Sequence, residues 1–462
     1  MQHLNESRTL LPAAGLASLI ISGTAMAGVV DVPTMAPTIQ IAVNIAADGD
    51  EILIAPGTYF ESVDLGSKNL TLRGAGAPGS AVISSFGLSA SALKILGGQT
   101  TDTRIENLAF TSTLFGSFTA ADDRGGAIWL NNSDATIVGC TFDGCYARFG
   151  GAIYGNAAIV LVEDCEFTGN GASSGGGAVY LNNSTSTFLR TVFEGNDAVG
   201  NGAGAVLYNG SSTIADCEFV GNTGNASGGA LHVHAITGTI DRTTFVDNLG
   251  DRGGAILFGG TSGLDMDVRD CVMLDNEAIS KGGAIFADAT SQAWLYNTTM
   301  VGNISPVASG AVDAGNNSTR LYNCIVWDNP GGQIQGTPQV RYSNVQGSVA
   351  GEGNIDADPM FVNAASGDLR LQPGSPSIDA GDARQVVGGY PVDLAGNPRA
   401  VNDGDVTDTG VSLLGLAVDM GAFERQAGPV DPEPGCDGDL DGSGVIGFAD
   451  LTTLLNAWGA CP

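Results

Sequence analysis

The residues best spaced for chemistry stand near the C-terminus: Asp439, Asp441, Ser443, Gly444, Val445 and Asp450. A 12-residue calcium loop needs side-chain oxygens at positions 1, 3, 5 and 12, glycine at 6 and a backbone carbonyl at 7. The six residues meet that pattern in order, with aspartate in place of glutamate at the end. They predict a Ca2+ site formed by Asp439, Asp441, Ser443, Val445 (through its carbonyl) and Asp450. Leu451, Leu454 and Leu455 then share one face of an exiting helix.

A second set recurs through the middle of the chain: Asp164, Arg190, Asp216, Arg242 and Asp270, alternating in sign. Two chemistries fit it. Stacked one above another, the residues would form a ladder of ion pairs, each worth about 0.2–1 kcal/mol. Gathered in a cleft, Asp216 and Asp270 would bind Ca2+ and Arg242 would act as the base of a lyase. Strict alternation favours the ladder.

A third set is Trp129, Tyr154, Tyr180, Leu207, His232, Leu257 and Phe286, each following Gly-Gly-Ala-aliphatic or a variant of it. If the aliphatic residue points inward, strand alternation turns this set outward. Trp129, Tyr154, Tyr180, His232 and Phe286 would then form an exposed strip suited to stacking on sugar rings. In the opposite facing they would be core. His232 and His234 alternate on one strand face, with no third metal ligand apparent.

The elements that must position these sets are repeats. Gly-Gly-Ala-aliphatic recurs from Gly125 to Ile285, with degenerate copies at Ala203–Val206 and Ser309–Val312. Between the copies runs Cys/Thr-x-Phe-x-x-Asn, first at Cys140 and Phe142 and last at Cys324 and Asn329, with spacings of 25 to 28 residues. Each unit holds short β-type runs broken by Gly, Asn, Asp and Ser, and no helical periodicity. One unit cannot bury its apolar side alone, but stacked units can. About 26 residues suit three short strands and three turns, so the fold expected is all-β: a parallel β-helix, with only the calcium-loop tail helical. Each coil then lies about 4.8 Å above the last, with Phe and aliphatic columns inside and the final Asn of each motif in a turn-lining ladder. Leucine-rich and propeller repeats lack the matching consensus and length.

Cys165, Cys217, Cys271 and Cys324 recur at every second coil. Neighbours then stand about 10 Å apart, beyond the ~7 Å limit for a disulfide, which predicts buried thiols. Cys140 is placed to bridge either Cys165 or Cys145. Cys436 and Cys461 bracket the tail and are expected to pair.

Composition bounds the partners. The 462 residues carry 18 basic and 49 acidic side chains, a net charge of −31, which repels phosphate backbones and excludes nucleic-acid binding. Arg8, an apolar stretch from Leu10 to Ile21 and Ala25-Met26-Ala27 read as a secretory signal over residues 1–27. No later apolar run reaches the ~18 residues of a membrane span. The expected product is secreted or held at a cell surface. The expected layout is a β-helix over 28–350 (cap about 36–74, repeats about 100–345), a capping module over 351–425, a Pro-rich linker at 426–435 and the calcium tail at 436–462.

Several motifs carry resemblances. Thr38 to Val43, Gly49 to Tyr59 and Lys68 to Gly74 resemble the N-terminal cap and first coils of pectin-lyase-like right-handed β-helices. The GGAI and FxxN repeats are similar to those of chlamydial polymorphic outer membrane proteins. Asp358-Pro359-Met360-Phe361, Ser377-Ile378-Asp379-Ala380-Gly381 and Asp419-Met420-Gly421-Ala422-Phe423-Glu424 resemble the choice-of-anchor Q module, which implies a structural end cap. The calcium loop resembles one half of a type I dockerin, which implies a cohesin-like or other surface protein as the tail's partner. These folds serve lyases, hydrolases, adhesins and structural proteins alike. The nearly uniform coils favour a non-catalytic protein of adhesion or of glycan and matrix binding. The alternative is a polysaccharide-degrading enzyme, pectate-lyase-like or a glycoside hydrolase, bearing a dockerin-like module.

Overall fold

A computed structural model describes residues 27–112, 123–260, 264–288, 291–315, 319–386, 392–404 and 406–426. The chain winds into a parallel β-solenoid of about 11 turns. Its strands form a 21-stranded sheet that takes two strands, or one continuous 11-residue strand, from each coil, a 12-stranded sheet and a six-stranded sheet.

One coil shows how the repeat folds. After the Gly150–Gly151 corner come strands Ile153–Asn156 and Ile159–Glu163 of the large sheet, Glu166–Thr168 of the 12-stranded sheet and Gly171–Gly175 of the six-stranded sheet. The corners are single left-handed residues: Gly150, Ala157, Asp164 and Gly169, with φ between 50° and 61°. Each glycine answers a local demand of this coil. Gly150 holds a positive φ, and a Cβ on Gly151 would lie 2.1 Å from the carbonyl oxygen of Gly177 in the next coil. The alternating charge column occupies one of these corners, at Asp164, Arg190, Asp216, Arg242 and Asp270, and continues as Asn297 and Asn323.

The interior columns stack as expected. Phe110, Phe142, Phe167, Phe193, Phe219 and Phe245 lie ring on ring, with centroids 4.5–5.1 Å apart and planes within 9°. Buried Asn170, Asn196, Asn222, Asn248, Asn276, Asn303 and Asn329 form the ladder. Asn196 Nδ2, for example, donates to Asn222 Oδ1 at 2.8 Å and to the Phe167 carbonyl at 3.0 Å. Cys145 occupies the position before Asn170, and its N–H donates to Asn170 Oδ1 at 2.9 Å.

Cys140, Cys145, Cys165, Cys217, Cys271 and Cys324 are buried free thiols. Neither bridge open to Cys140 forms. Its N–H donates to Cys165 Sγ at 3.4 Å, and its own thiol points along the column toward the Ile105 carbonyl. Cys145 sits past the next corner, in the asparagine column.

The N-terminal end is closed by a helix, Ile39–Ile45, which buries Ile39, Ala42 and Val43. The Glu61 carboxylate accepts the N–H groups of Ile39 and Gln40, and Lys68 Nζ donates to the carbonyls of Val43, Asn44 and Ala46. An anion at the N-terminus and a cation at the C-terminus complement the helix dipole.

The module expected as an end cap begins on the last coil, where the Ile355 N–H donates to the Ser343 carbonyl and its carbonyl accepts from Val345, and its later residues lie along the flank. Leu369 and Ala422 pack on Val272 and Val301, and Leu371, Ile378, Ala380 and Met420 pack on Ile325. These solenoid residues point outward from the last strands of the 12-stranded sheet, so the module roofs an apolar face that water would otherwise wet. Polar contacts fix its register. Asn323 Oδ1 accepts the Asp382 N–H at 2.7 Å, and the Ala422 N–H donates to Thr299 Oγ1 at 2.9 Å.

Candidate functional site

The charge column resolves into separate pairs. Arg190 reaches down one coil to hold both oxygens of Asp164, at 2.7 and 3.0 Å, and also contacts Glu163. Arg242 holds both oxygens of Asp216, at 2.7 and 2.9 Å. Asp270 turns away from the ladder to Arg399 of the flanking module, 2.5 Å away, and both side chains are fully buried. Pairing raises the pKa of Arg190 and Arg242 and lowers that of Asp164. An arginine that is to take a proton needs the opposite shift.

The aromatic column points out of the solenoid. Its aliphatic predecessors Ile128, Ile153, Val179, Leu231, Ile256 and Ile285 are buried in the core. One member is corrected: Tyr180 pairs with Val206 and Val206 with His232, so Leu207 belongs to the inward column. Here Gly202-Ala203-Gly204 stands in place of Gly-Gly-Ala, and the true register lies one residue before the Ala203–Val206 match.

The expected exposed strip is a roofed groove. Strand ends of the six-stranded sheet lean over the column, because the glycine corner brings the two sheets together with no Cβ between them. Phe149 meets Tyr180 edge-on at 5.2 Å, and Tyr154 stacks on Tyr180 at 5.7 Å. Arg124 covers Tyr154 at 5.1 Å, and Arg252 covers Phe286 at 5.3 Å. Trp129 and Tyr180 remain partly accessible, whereas Tyr154, His232 and Phe286 are 6–9% exposed.

The groove opens into a cavity of about 380 Å3 at His232, His234, Arg252, Gly259, Phe286 and Asp288. Burial pushes the His232 imidazole down to about 3, so it stays neutral at ordinary pH. Its Nδ1 has no hydrogen-bond partner. His234 stacks on Tyr208 at 4.1 Å, and burial lowers its pKa too, against the opposing pull of Asp288. Among the described residues, no three His, Cys, Asp or Glu side chains are grouped so as to hold a metal ion.

Sequence reasoning passed over a second outward patch on the large sheet. Arg320 lies 4.3 Å over the Trp294 ring, Tyr296 stacks on Tyr322 at 5.8 Å, and Tyr322 Oη donates to Gln339 Oε1 at 2.7 Å. Its signal was two large aromatics at alternate positions of the strand Gln292–Tyr296. The expected calcium ligands Asp439, Asp441, Ser443, Val445 and Asp450, the expected Cys436–Cys461 pair and residues 1–26 of the expected secretory signal lie outside the described residues.

Comparison with known proteins bears on the fold. No curated protein matches the sequence. Among solved structures, the chain is similar to pectate lyase Pel9A (14% identity, 83% of this chain and 90% of that one, TM-score 0.41). It is also similar to the PL6 family alginate lyase AlyGC (14%, 75% and 55%, TM-score 0.42). A third is PfbA, a surface adhesin of Streptococcus pneumoniae (12%, 66% and 86%, TM-score 0.35). Residues 82–248 match the family model described as a right handed beta helix region, which gives the solenoid its hand.

Proposed function

We propose that this chain is an exported, non-catalytic carbohydrate-binding β-helix that holds a glycan along the groove. The observation that carries the reading is the outward column of Trp129, Tyr154, Tyr180, His232 and Phe286, interrupted by Val206 and Leu257 and walled by the six-stranded sheet. Aromatic faces beside polar side chains suit sugar rings, which present apolar faces and hydroxyl edges. The pairing of Arg242 with Asp216 and of Asp270 with Arg399 supports a structural role for the residues that a lyase would need free. In this reading residues 436–462 bind Ca2+ and attach the solenoid to a surface partner.

The test is calorimetric titration of the protein with a panel of plant, algal and bacterial polysaccharides, in Ca2+ and in chelator. New reducing ends are measured on the same samples. Binding without product, weakened by Trp129→Ala and Tyr180→Ala, is expected. Product release lost on Arg242→Ala would overturn the reading in favour of a polysaccharide lyase or hydrolase.

A further inference from the structure

The column beside the aromatic one has a missing rung. Tyr208 pairs with His234, and His234 with Gly259 in the next coil. Above Gly259 stands Asp288, whose N–H donates to the Phe258 carbonyl. Two imidazole nitrogens face the empty position. A Cβ on Gly259 would lie 3.2 Å from Leu257 Cδ2, 3.4 Å from His234 Nδ1 and 3.6 Å from His232 Nε2, so the rung itself has room for a small group only. Gly259 has no positive φ that would require glycine, so the backbone does not explain its presence in a strand otherwise made of Ile256, Leu257 and Phe258. The gap forms part of the 380 Å3 cavity, which sits at the small end of the ~300–1,000 Å3 range for organic ligands.

We propose that this gap is the primary subsite of the groove and takes one ring of a neutral polysaccharide, with a hydroxyl-bearing edge inserted between His234 and Asp288 beside His232. The proposal rests on the glycan reading above and adds the place and the sugar class. A neutral imidazole offers one donor and one acceptor, which a polyol matches hydroxyl by hydroxyl; beside it stand the Asp288 carboxylate, which accepts the Gly260 N–H and the Ser291 hydroxyl, and Ser227 Oγ, which accepts from Arg252. Charge selects the class. The two charged residues that line the cavity, Arg252 and Asp288, offset each other, Arg252 also meets Asp251, and the whole chain carries −31, so a uronate polymer meets repulsion with no surplus of cations to receive it.

The experiment fills the rung. Gly259→Val suits an outward strand position, and its melting temperature is checked against the parent. Neutral tetrasaccharides of glucose, xylose and mannose and tetragalacturonate are titrated into the parent, Gly259→Val, His234→Ala and Trp129→Ala. The expected result is binding of a neutral tetrasaccharide, with Kd raised roughly tenfold or more by Gly259→Val and by His234→Ala. Neutral binding that falls with Trp129→Ala but ignores Gly259→Val and His234→Ala would overturn the subsite and leave the groove standing. Binding of tetragalacturonate alone would overturn the sugar class. Absence of binding to any glycan would overturn both the subsite and the groove.

Discussion

One corner of the solenoid, repeated coil after coil, meets two different fates. At Asp164, Arg190, Asp216 and Arg242 it faces water, and its charges pair vertically between neighbouring coils. At Asp270, Asn297 and Asn323 the same left-handed corner lies beneath the flanking module and is buried. There Asp270 meets Arg399, which also bonds Glu424 and the carbonyls of Gly421 and Ala422. Backbone geometry is common to both regions, so the difference isolates the effect of solvent. Open pairs in high dielectric add little, and rigid backbone stacking holds those coils. The covered pair has lost its water and must be fully partnered. Only in the second region does removal of one charge undo the packing around it.

The largest effect is therefore expected at the covered corner. Arg399→Ala strands the carboxylates of Asp270 and Glu424 in the interior, at a cost of about 3–5 kcal/mol. The module should loosen and bare Val272, Val301 and Ile325. Urea unfolding followed through Trp327, which packs beside the module, would show an early transition absent from the parent. A single transition at the parent midpoint would refute the idea of a clamp.

The two regions should also answer pH in opposite senses. Burial pushes Glu424 up to about 7 and also raises its neighbour Asp419 and the carboxyl of Asp270. A carboxyl raised above its unfolded value of ~4.3 gives stability that is complete below that pH and is lost as pH climbs through ~7. Attachment of the module should weaken between pH 5.5 and 8, by on the order of 2 kcal/mol. Asp164 is shifted downward by Arg190, so its contribution persists above ~3.9 and disappears only in acid. Urea midpoints of the Trp327 signal at pH 5.5 and 8 test this, and equal midpoints would contradict it.

The repeat made the solenoid readable because every coil solves the same problem with the same residues. Phe at 4.5–5.1 Å stacking, Asn in the turn and Gly-Gly at the sharp corner are local demands that recur in register. What escaped were relations between elements that no period reports. The six-stranded sheet leaning over Tyr154 and Phe286 depends on how far a corner bends, and a residue pattern does not carry that angle. The flank position of the module left a trace that went unused. Outward positions of the 12-stranded sheet change from Thr141 and Asp143, or Glu166 and Thr168, to Val272 and Leu274, then Ile325 and Trp327. A strand that turns apolar on both faces is covered on both faces. In the same coils the charged corner gives way to Asn297 and Asn323. The subsite was half legible: the histidine pair stood out, but the vacancy at Gly259 depends on register across three coils.

The smallest expected effect separates the two regions most sharply, because one substitution is made twice in one column. Arg242 and Asp270 both hold φ near +50°, a conformation that costs a side chain about 1 kcal/mol and glycine almost nothing. Arg242→Gly removes an open pair worth ~0.2–1 kcal/mol and relieves that strain, so the two terms nearly cancel and the urea midpoint should hardly move. Gly139 fills the equivalent corner of an earlier coil, also left-handed, with φ of 60°. Asp270→Gly gains the same relief but leaves the Arg399 guanidinium buried beside Glu424 alone, a penalty several times larger. Equal losses for the two variants would mean that the backbone corner and not the solvent decides what this column contributes.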